Sequence, residues 1–223
     1  ENIFILIEQI KKIFKNHLIV IVDDSSNDLI KKKIVKYKNI KYFKRKSKSG
    51  RGSAVIFGMR QMIKQKRIDL VVEMDTDLSS HPKELPRNIK FFKKEKLDLL
   101  IMSRYLNGSK IINWPLRRRI FSFLSNKLAN FLIRAKVSDY TMGYRIYSLK
   151  AIIQVANNCG KVGSGFIVLS EILAELHYNN FKIRDTKTTF INREKGNSTV
   201  GLKLIYESLI GVFRIYFKFR KIF

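Results

Sequence analysis

The sequence predicts an α/β domain of three layers, a mainly parallel sheet between helices, and three observations carry this. Short apolar runs rich in β-branched residues alternate with stretches of helical periodicity. Such runs read as strands buried on both faces, and their alternation with helices gives crossover units. Two of the runs end abruptly in acidic clusters, and no internal repeat or linker interrupts the order, so one domain is the economical reading.

The elements follow in chain order. Ile3, Phe4, Leu6, Ile7, Ile10, Ile13 and Phe14 recur at helical spacing, so the chain opens inside a helix. With no methionine and no strand ahead of that helix, we expect a fragment of a longer protein. Residues 17–22 (HLIVIV) form a buried strand that ends in Asp23-Asp24-Ser25-Ser26-Asn27-Asp28, before a helical stretch. Residues 40–43 are a further strand, and the basic loop KRKSKSGRGS opens a helix over about 53–66. Residues 69–74 (DLVVEM) make a second buried strand, ended by Asp75-Thr76-Asp77; a helix over 82–94 and a strand over 97–102 follow. The helix over 114–135 carries apolar Leu116, Ile120, Phe121, Leu124, Leu128, Phe131 and Leu132, a stripe that suits either a core or a lipid. Residues 201–223 alternate apolar and basic side chains and form a C-terminal amphipathic segment on a domain spanning 1–200. That segment is expected to lie on the protein's own core or on a bilayer surface. No stretch reaches the roughly 18–20 uncharged apolar residues of a spanning helix.

Composition narrows the function classes. Forty-five Lys and Arg against 18 Asp and Glu give a net charge of +27, which suits nucleic acid, an anionic membrane or a phosphorylated substrate. Surface lysine accumulated through A/T-rich codons gives the same excess without function. Hydrophobic residues at 45% exclude disorder, and the single Cys159 excludes an internal disulfide and points to a reducing compartment.

The acids are more informative than the bases. In open α/β sheets the ligand crevice lies at the carboxyl ends of the strands, and two strands here place acid clusters there. Asp75 and Asp77, two apart on extended chain, point the same way. A hard divalent cation is held by one or two carboxylates plus substrate phosphates, so the pair suits a metal–diphosphate site, with Ser79 adding a hydroxyl. The same residues equally suit caps for the helix near Pro82.

Taken together, VDDSS (22–26), GRGSA (50–54), MDTDLSSHP (74–82), SRYLNGS (103–109), NWPLRRRIFSFLSNKLANFL (113–132), SDYTMGYRIYS (138–148) and INREKGNS (191–198) resemble glycosyltransferase family 2. More narrowly they resemble its dolichyl-phosphate (polyprenyl-phosphate) mannosyltransferases. The resemblance implies a GT-A fold, lacking its first strand in this sequence, and inverting transfer of a hexose from a nucleotide diphosphate sugar to a polyprenyl phosphate. Mannose from GDP-mannose leads; a glucosyl or aminosugar donor carried on UDP is the alternative. It also implies Mg²⁺ or Mn²⁺ and a peripheral place on the cytoplasmic membrane face. Carried over by position, Val22 and Asp24 touch the nucleoside. Asp75, Thr76 and Asp77 hold donor and metal with Ser79 nearby, and Arg104 and Arg193 contact phosphates. Arg104, Arg117, Arg118 and Ser122 take the acceptor phosphate, while Asp77, Arg104 and Asp139 are the catalytic candidates. Asp139 is expected to face the acceptor or to pair with Arg145. Thr199 stands where the family has a Lys for the diphosphate, with Lys195 or Lys203 as substitutes. Glu171 and Glu175 are expected to be surface or structural acids.

The chemistry is consistent with these residue types. A phosphate monoester has a second pKa of about 6, so the acceptor is largely a dianion at neutral pH and needs no general base. A chain with three histidines and no Ser/His/Asp or Cys/His signature fits that. A nucleic-acid-binding protein, the reading from another class, would carry a recognisable reader motif, and none is seen.

Overall fold

A computed structural model describes residues 2–47, 49–163, 165–192 and 202–220, with the side chains of the last helix described from residue 209. The described residues form eight strands and eight α-helices, alternating over the first part of the chain. Helix α1 (Asn2–Ile13) leads to β1 (Ile19–Asp23), α2 (Leu29–Ile34) to β2 (Ile40–Lys44), and α3 (Arg51–Met62) to β3 (Leu70–Glu73). A 3₁₀ turn at Pro82–Glu84 precedes α4 (Leu85–Lys94), β4 (Leu99–Ser103), β5 (Lys110–Ile112) and α5 (Leu116–Ile133). Then come β6 (Arg145–Ser148), α6 (Leu149–Asn158), α7 (Ile167–Tyr178), β7 (Ile183–Lys187), β8 (Thr189–Ile191) and α8 (Leu202–Arg220).

The sheet is more mixed than the apolar runs suggested. β1 pairs with β2, β4 with β7 and β5 with β8 in parallel, but β6 enters antiparallel between β3 and β4. Arg145 and Ser148 open and close that strand, so it carries no apolar run by which to find it. One edge of β1 and one edge of β3 have no strand partner among the described residues. β4 (LLIMS) is buried at every position, as expected for a strand covered on both faces.

The main core joins β3, β4 and β6 to α3, α5, α6, α7 and α8, with Leu99, Leu100, Ile101, Met102, Ile146, Ile152 and Leu173 wholly buried. A smaller cluster of Ile3, Ile7, Ile21 and Ile34 fixes α1 and α2 on β1. Helix α8 uses two faces. Val212, Ile215 and Phe219 lie in the main core, where Phe219 stacks on Tyr178 at 4.8 Å between centroids, while Phe213 and Phe217 are exposed. Lys218 fastens its end to Glu175 at 3.6 Å and Glu171 at 3.7 Å. Glu171 and Glu175 are structural and buried; Glu171 also accepts the backbone N–H of Gly160 at 2.8 Å.

Candidate active site

The carboxyl ends of β3 and β4, the loop before β6 and the helices α5, α7 and α8 enclose a cavity of about 210 Å³. Asp75, Asp77 and Ser79 line it together with Arg104, Trp114, Arg118 and Ser122. Its remaining wall is largely apolar, with Phe121, Leu128, Ala129, Ile167, Leu209 and Val212. Residues from five separate motifs of the sequence therefore meet in one cleft, with Thr141 and Asn192 supplied by the last two.

The acid pair sits just past the end of β3. Asp77 Oδ1 accepts the backbone N–H of Ser79 at 3.0 Å, an Asx turn made feasible by Leu78 at φ 63°. Ser79 is buried. Asp75 Oδ1 accepts from Arg51 Nε at 2.8 Å. Among the described residues the other oxygen of each carboxylate makes no hydrogen bond, so two hard oxygens remain for a cation completed by substrate phosphates. No group of three or more His, Cys, Asp or Glu is assembled for a metal among the described residues. The donor set therefore fits a substrate-bridged Mg²⁺ or Mn²⁺ rather than a cation held by protein alone. Thr76 is exposed and does not line the cavity.

In the same cavity, Arg104 is 7% exposed and is gripped by Asp139. Its Nε donates to Oδ2 at 2.7 Å and its Nη2 to Oδ1 at 2.8 Å and to Thr141 Oγ1 at 2.8 Å. Burial alone would lower the Arg104 pKa and raise that of Asp139. Their mutual attraction outweighs it and holds the arginine above, and the carboxyl below, their ordinary values. Asp139 is thus wholly buried and bonded to Arg104, not to Arg145. Arg145 instead donates to the carbonyls of Met142, Leu169 and Tyr140. Arg104 also lies between rings, its guanidinium carbon 5.1 Å from Trp114 and 5.5 Å from Phe190. Trp114 carries Arg118 on the same terms, at 4.3 Å, and Arg118 Nη1 donates to Asn192 Oδ1 at 3.3 Å. Trp114 is a spacer that sets one guanidinium relative to the other.

Of the arginine run, only Arg118 lines the cavity. Arg117 is exposed, and Arg119 Nη2 donates to the Ile111 carbonyl at 2.7 Å. One helical turn on, Ser122 Oγ accepts from the Tyr105 hydroxyl at 2.6 Å at the cavity wall. The α5 stripe is divided: Leu116, Ile120, Leu124 and Phe131 face outward, Phe121 and Leu128 line the cavity, and Leu132 packs against the main core. Leu116 and Phe131 are each 70% exposed and Leu124 58%, while Asn126, Ala129 and Ile133 take the buried side.

A second hollow lies at the end of β1, lined by Asp24, Ser25, Ser26, Arg45, Lys46 and Ser47. Both Asp24 oxygens accept from Arg45, whose Nη1 donates to Ser53 Oγ at 2.6 Å. Asp23 is buried and bonded to Tyr42 at 2.6 Å and to Ser25, and these bonds, against the opposing effect of burial, hold its carboxyl below the usual range. Val22 packs toward α3 and does not line the hollow. Arg193, Lys195 and Thr199 lie outside the described residues.

Sequence reasoning missed Arg51, Arg45, Trp114 as a spacer, Phe190 and Asn192. Only Arg51 carried a signal. It opens α3, and a cation in a helix's first turn opposes the macrodipole unless something else holds it there.

Comparison with known proteins identifies the family and the fold. A family model described as Glycosyl transferase family 2 matches residues 2–155. The chain is 30% identical over 203 residues to the undecaprenyl-phosphate mannosyltransferase of Micrococcus luteus, covering 88% of this chain and 81% of that one. It is 30% identical to the polyprenol monophosphomannose synthase of Mycolicibacterium smegmatis, covering 75% and 62%, and 32% identical to the dolichol-phosphate mannosyltransferase of Pyrococcus furiosus, covering 90% and 55%. The chain therefore spans less than two thirds of the length of these last two. Its fold is similar to that of glucosyl-3-phosphoglycerate synthase from Mycobacterium tuberculosis, with a TM-score of 0.66 at 14% identity over 96% of this chain and 75% of that one. The chain belongs to glycosyltransferase family 2 and is a GT-A glycosyltransferase.

Proposed function

We propose that the chain transfers mannose from GDP-mannose, with inversion, to a polyprenyl phosphate. The observation that carries this is one cleft lined by an acid pair, by two arginines spaced by the Trp114 ring and by apolar side chains of helices. The names of the relatives support the sugar and the acceptor; the nucleotide is our own extension.

In this reading Asp75, Asp77 and Ser79 would hold a Mg²⁺ or Mn²⁺, which supplies charge stabilisation for the departing nucleotide diphosphate. Arg104, Arg118 and Ser122 draw the acceptor phosphate toward the sugar. Planar guanidinium forks suit phosphate, and rings behind them fix their direction. Asp139 acts through Arg104, which it orients, and leaves the nucleophile, an already ionised phosphate, without a general base. Arg193, expected on a donor phosphate, and Asp24 and Val22, expected near the nucleoside, remain part of this proposal. The hollow beside β1 supports a place for the base. Arg45 must then yield Asp24 or replace it as the contact.

The experiment that tests this is transfer from GDP-mannose and from competing UDP-sugars to a polyprenyl phosphate; preference for a UDP-sugar would overturn the donor assignment. Within that assay Arg118→Ala is expected to raise the acceptor KM roughly tenfold, the worth of a hydrogen bond to a charged group, with the donor KM unchanged. An equal effect on both substrates would move Arg118 out of the acceptor site.

No helix among the described residues is long and apolar enough to cross a membrane. The exposed apolar side chains of α5, together with Phe213 and Phe217 of α8 and their basic neighbours, support peripheral attachment to an anionic bilayer. Phe213→Asp with Phe217→Asp is expected to weaken sedimentation with anionic vesicles by at least about tenfold, since each ring contributes roughly 1.5–3 kcal/mol when buried. Unchanged sedimentation would remove α8 from the contact. Point changes are the better test than deletion, because deletion would also strip Val212, Ile215 and Phe219 from the core.

A further inference from the structure

We propose that Arg51 is a positioning residue that sets the orientation and the charge of Asp75, an inference resting on the proposed metal-assisted role of the Asp75–Asp77 pair. The guanidinium is fastened on several sides. Nε donates to Asp75 Oδ1 at 2.8 Å and Nη2 to Glu73 Oε1 at 2.9 Å. Glu73 is the last residue of β3, and its other oxygen accepts from the Tyr147 hydroxyl of β6 at 2.7 Å. The Phe166 ring lies 5.6 Å from the guanidinium carbon. Position 143 has to be glycine for the arginine to fit, since a Cβ there would lie 1.8 Å from Nη2. Asp75 stands beyond the strand, where backbone pairing no longer holds it. Its position comes from the rigid sheet through Tyr147, Glu73 and Arg51.

Stability alone does not account for this arrangement. Nη1 is buried with no hydrogen-bond partner among the described residues, a costly omission for a group serving only the fold. The cation also opens a helix, against the dipole. The arrangement instead leaves Asp75 with one oxygen engaged and one exposed to the cavity, its charge partly offset by a neighbour that cannot be deprotonated.

The consequences of removing Arg51 run in opposite directions. Without the cation the acid pair attracts a divalent ion more strongly, yet Asp75 is no longer aimed. The test measures Mn²⁺ binding to the full chain by electron paramagnetic resonance, with GDP present and against a GDP-only blank, alongside turnover in the transfer assay. Arg51→Met is expected to bind Mn²⁺ at least roughly threefold more tightly while kcat falls at least roughly tenfold. Arg51→Lys, which keeps the charge but not the fork, is expected to return Mn²⁺ affinity to the wild-type value and to recover only part of kcat. A merely structural arginine would lower Tm and leave the Mn²⁺ affinity of the folded protein alone. Mn²⁺ affinities of both variants within twofold of wild type, or an unchanged kcat, would overturn the proposal. If Arg51→Met fails to fold because Glu73 is left buried and unpaired, Arg51→Met with Glu73→Gln removes that acid, and the same readings apply. Wild type that binds no Mn²⁺ would overturn the acid-pair reading itself, and this proposal with it.

Discussion

Replacing Asp77 with asparagine is expected to reduce sugar transfer by roughly 10³-fold while leaving the fold intact. Asparagine keeps an Oδ1 acceptor, so the 3.0 Å bond from the Ser79 backbone and the turn around Leu78 survive. What is lost is the negative charge on the oxygen facing the cavity. If that oxygen holds the cation that offsets the leaving diphosphate, several kcal/mol of stabilisation goes with it, at about 1.4 kcal/mol per tenfold in rate. The check is the transfer rate together with calorimetry of nucleotide diphosphate binding with and without Mn²⁺. Loss of the Mn²⁺-dependent component at an unchanged Tm is the expected pattern. A rate within threefold of wild type would remove Asp77 from the chemistry.

That Asp77 was found from the sequence at all reflects what a strand end looks like. An apolar run such as LVVE stops where the sheet stops, and an acid beyond it has no burial to explain it, so β1 and β3 and their acids were legible. The arginines were less so. Arg117, Arg118 and Arg119 are indistinguishable in sequence, but successive helix positions point about 100° apart, and only Arg118 turns inward. The α5 stripe could not be assigned, because an apolar helix face is the same pattern whether it meets a core or a lipid; only its exposure separates them. Glu171 and Glu175 read as either surface or structural acids, and the sequence did not separate the two because their partners, Gly160, Gln154 and Lys218, are distant in sequence. The acceptor-side ion pair failed for the same reason. Arg145 lies six positions from Asp139 and was the near candidate, yet β6 buries it among carbonyls, and the partner proved to be 35 residues away.

That distant partner makes Arg104 a sensitive position, since a buried acid depends on it. Arg104→Met is expected to cost about 3–5 kcal/mol of stability, because it leaves Asp139 wholly buried without its cation. It is also expected to lower transfer by at least roughly 10²-fold, since a preorganised charge on a phosphate is lost as well. Pairing the change with Asp139→Asn separates the two. The double variant removes the buried charge, so most of the stability should return while the transfer defect stays. The pH dependence gives an independent sign. Asp139 is held below the usual carboxylate range in the folded chain, despite its burial, by Arg104. Its contribution to stability is therefore complete above the unfolded value of about 3.9 and is lost as pH falls through the lower folded value. In Arg104→Met, burial is opposed only by the backbone N–H groups of positions 104 and 141 and by the Thr141 hydroxyl, and it is expected to push the same carboxyl upward, so acid should now stabilise where it previously destabilised. Over the range above pH 4, the wild type should be flat with respect to this group, and Arg104→Met should gain stability as pH is lowered, until the carboxyl is protonated in both states. Denaturant midpoints at pH 4.5 and 7.5 decide it. Equal losses at the two pH values, or a double variant as unstable as the single one, would mean that Arg104 is held by its ring contacts and not by Asp139.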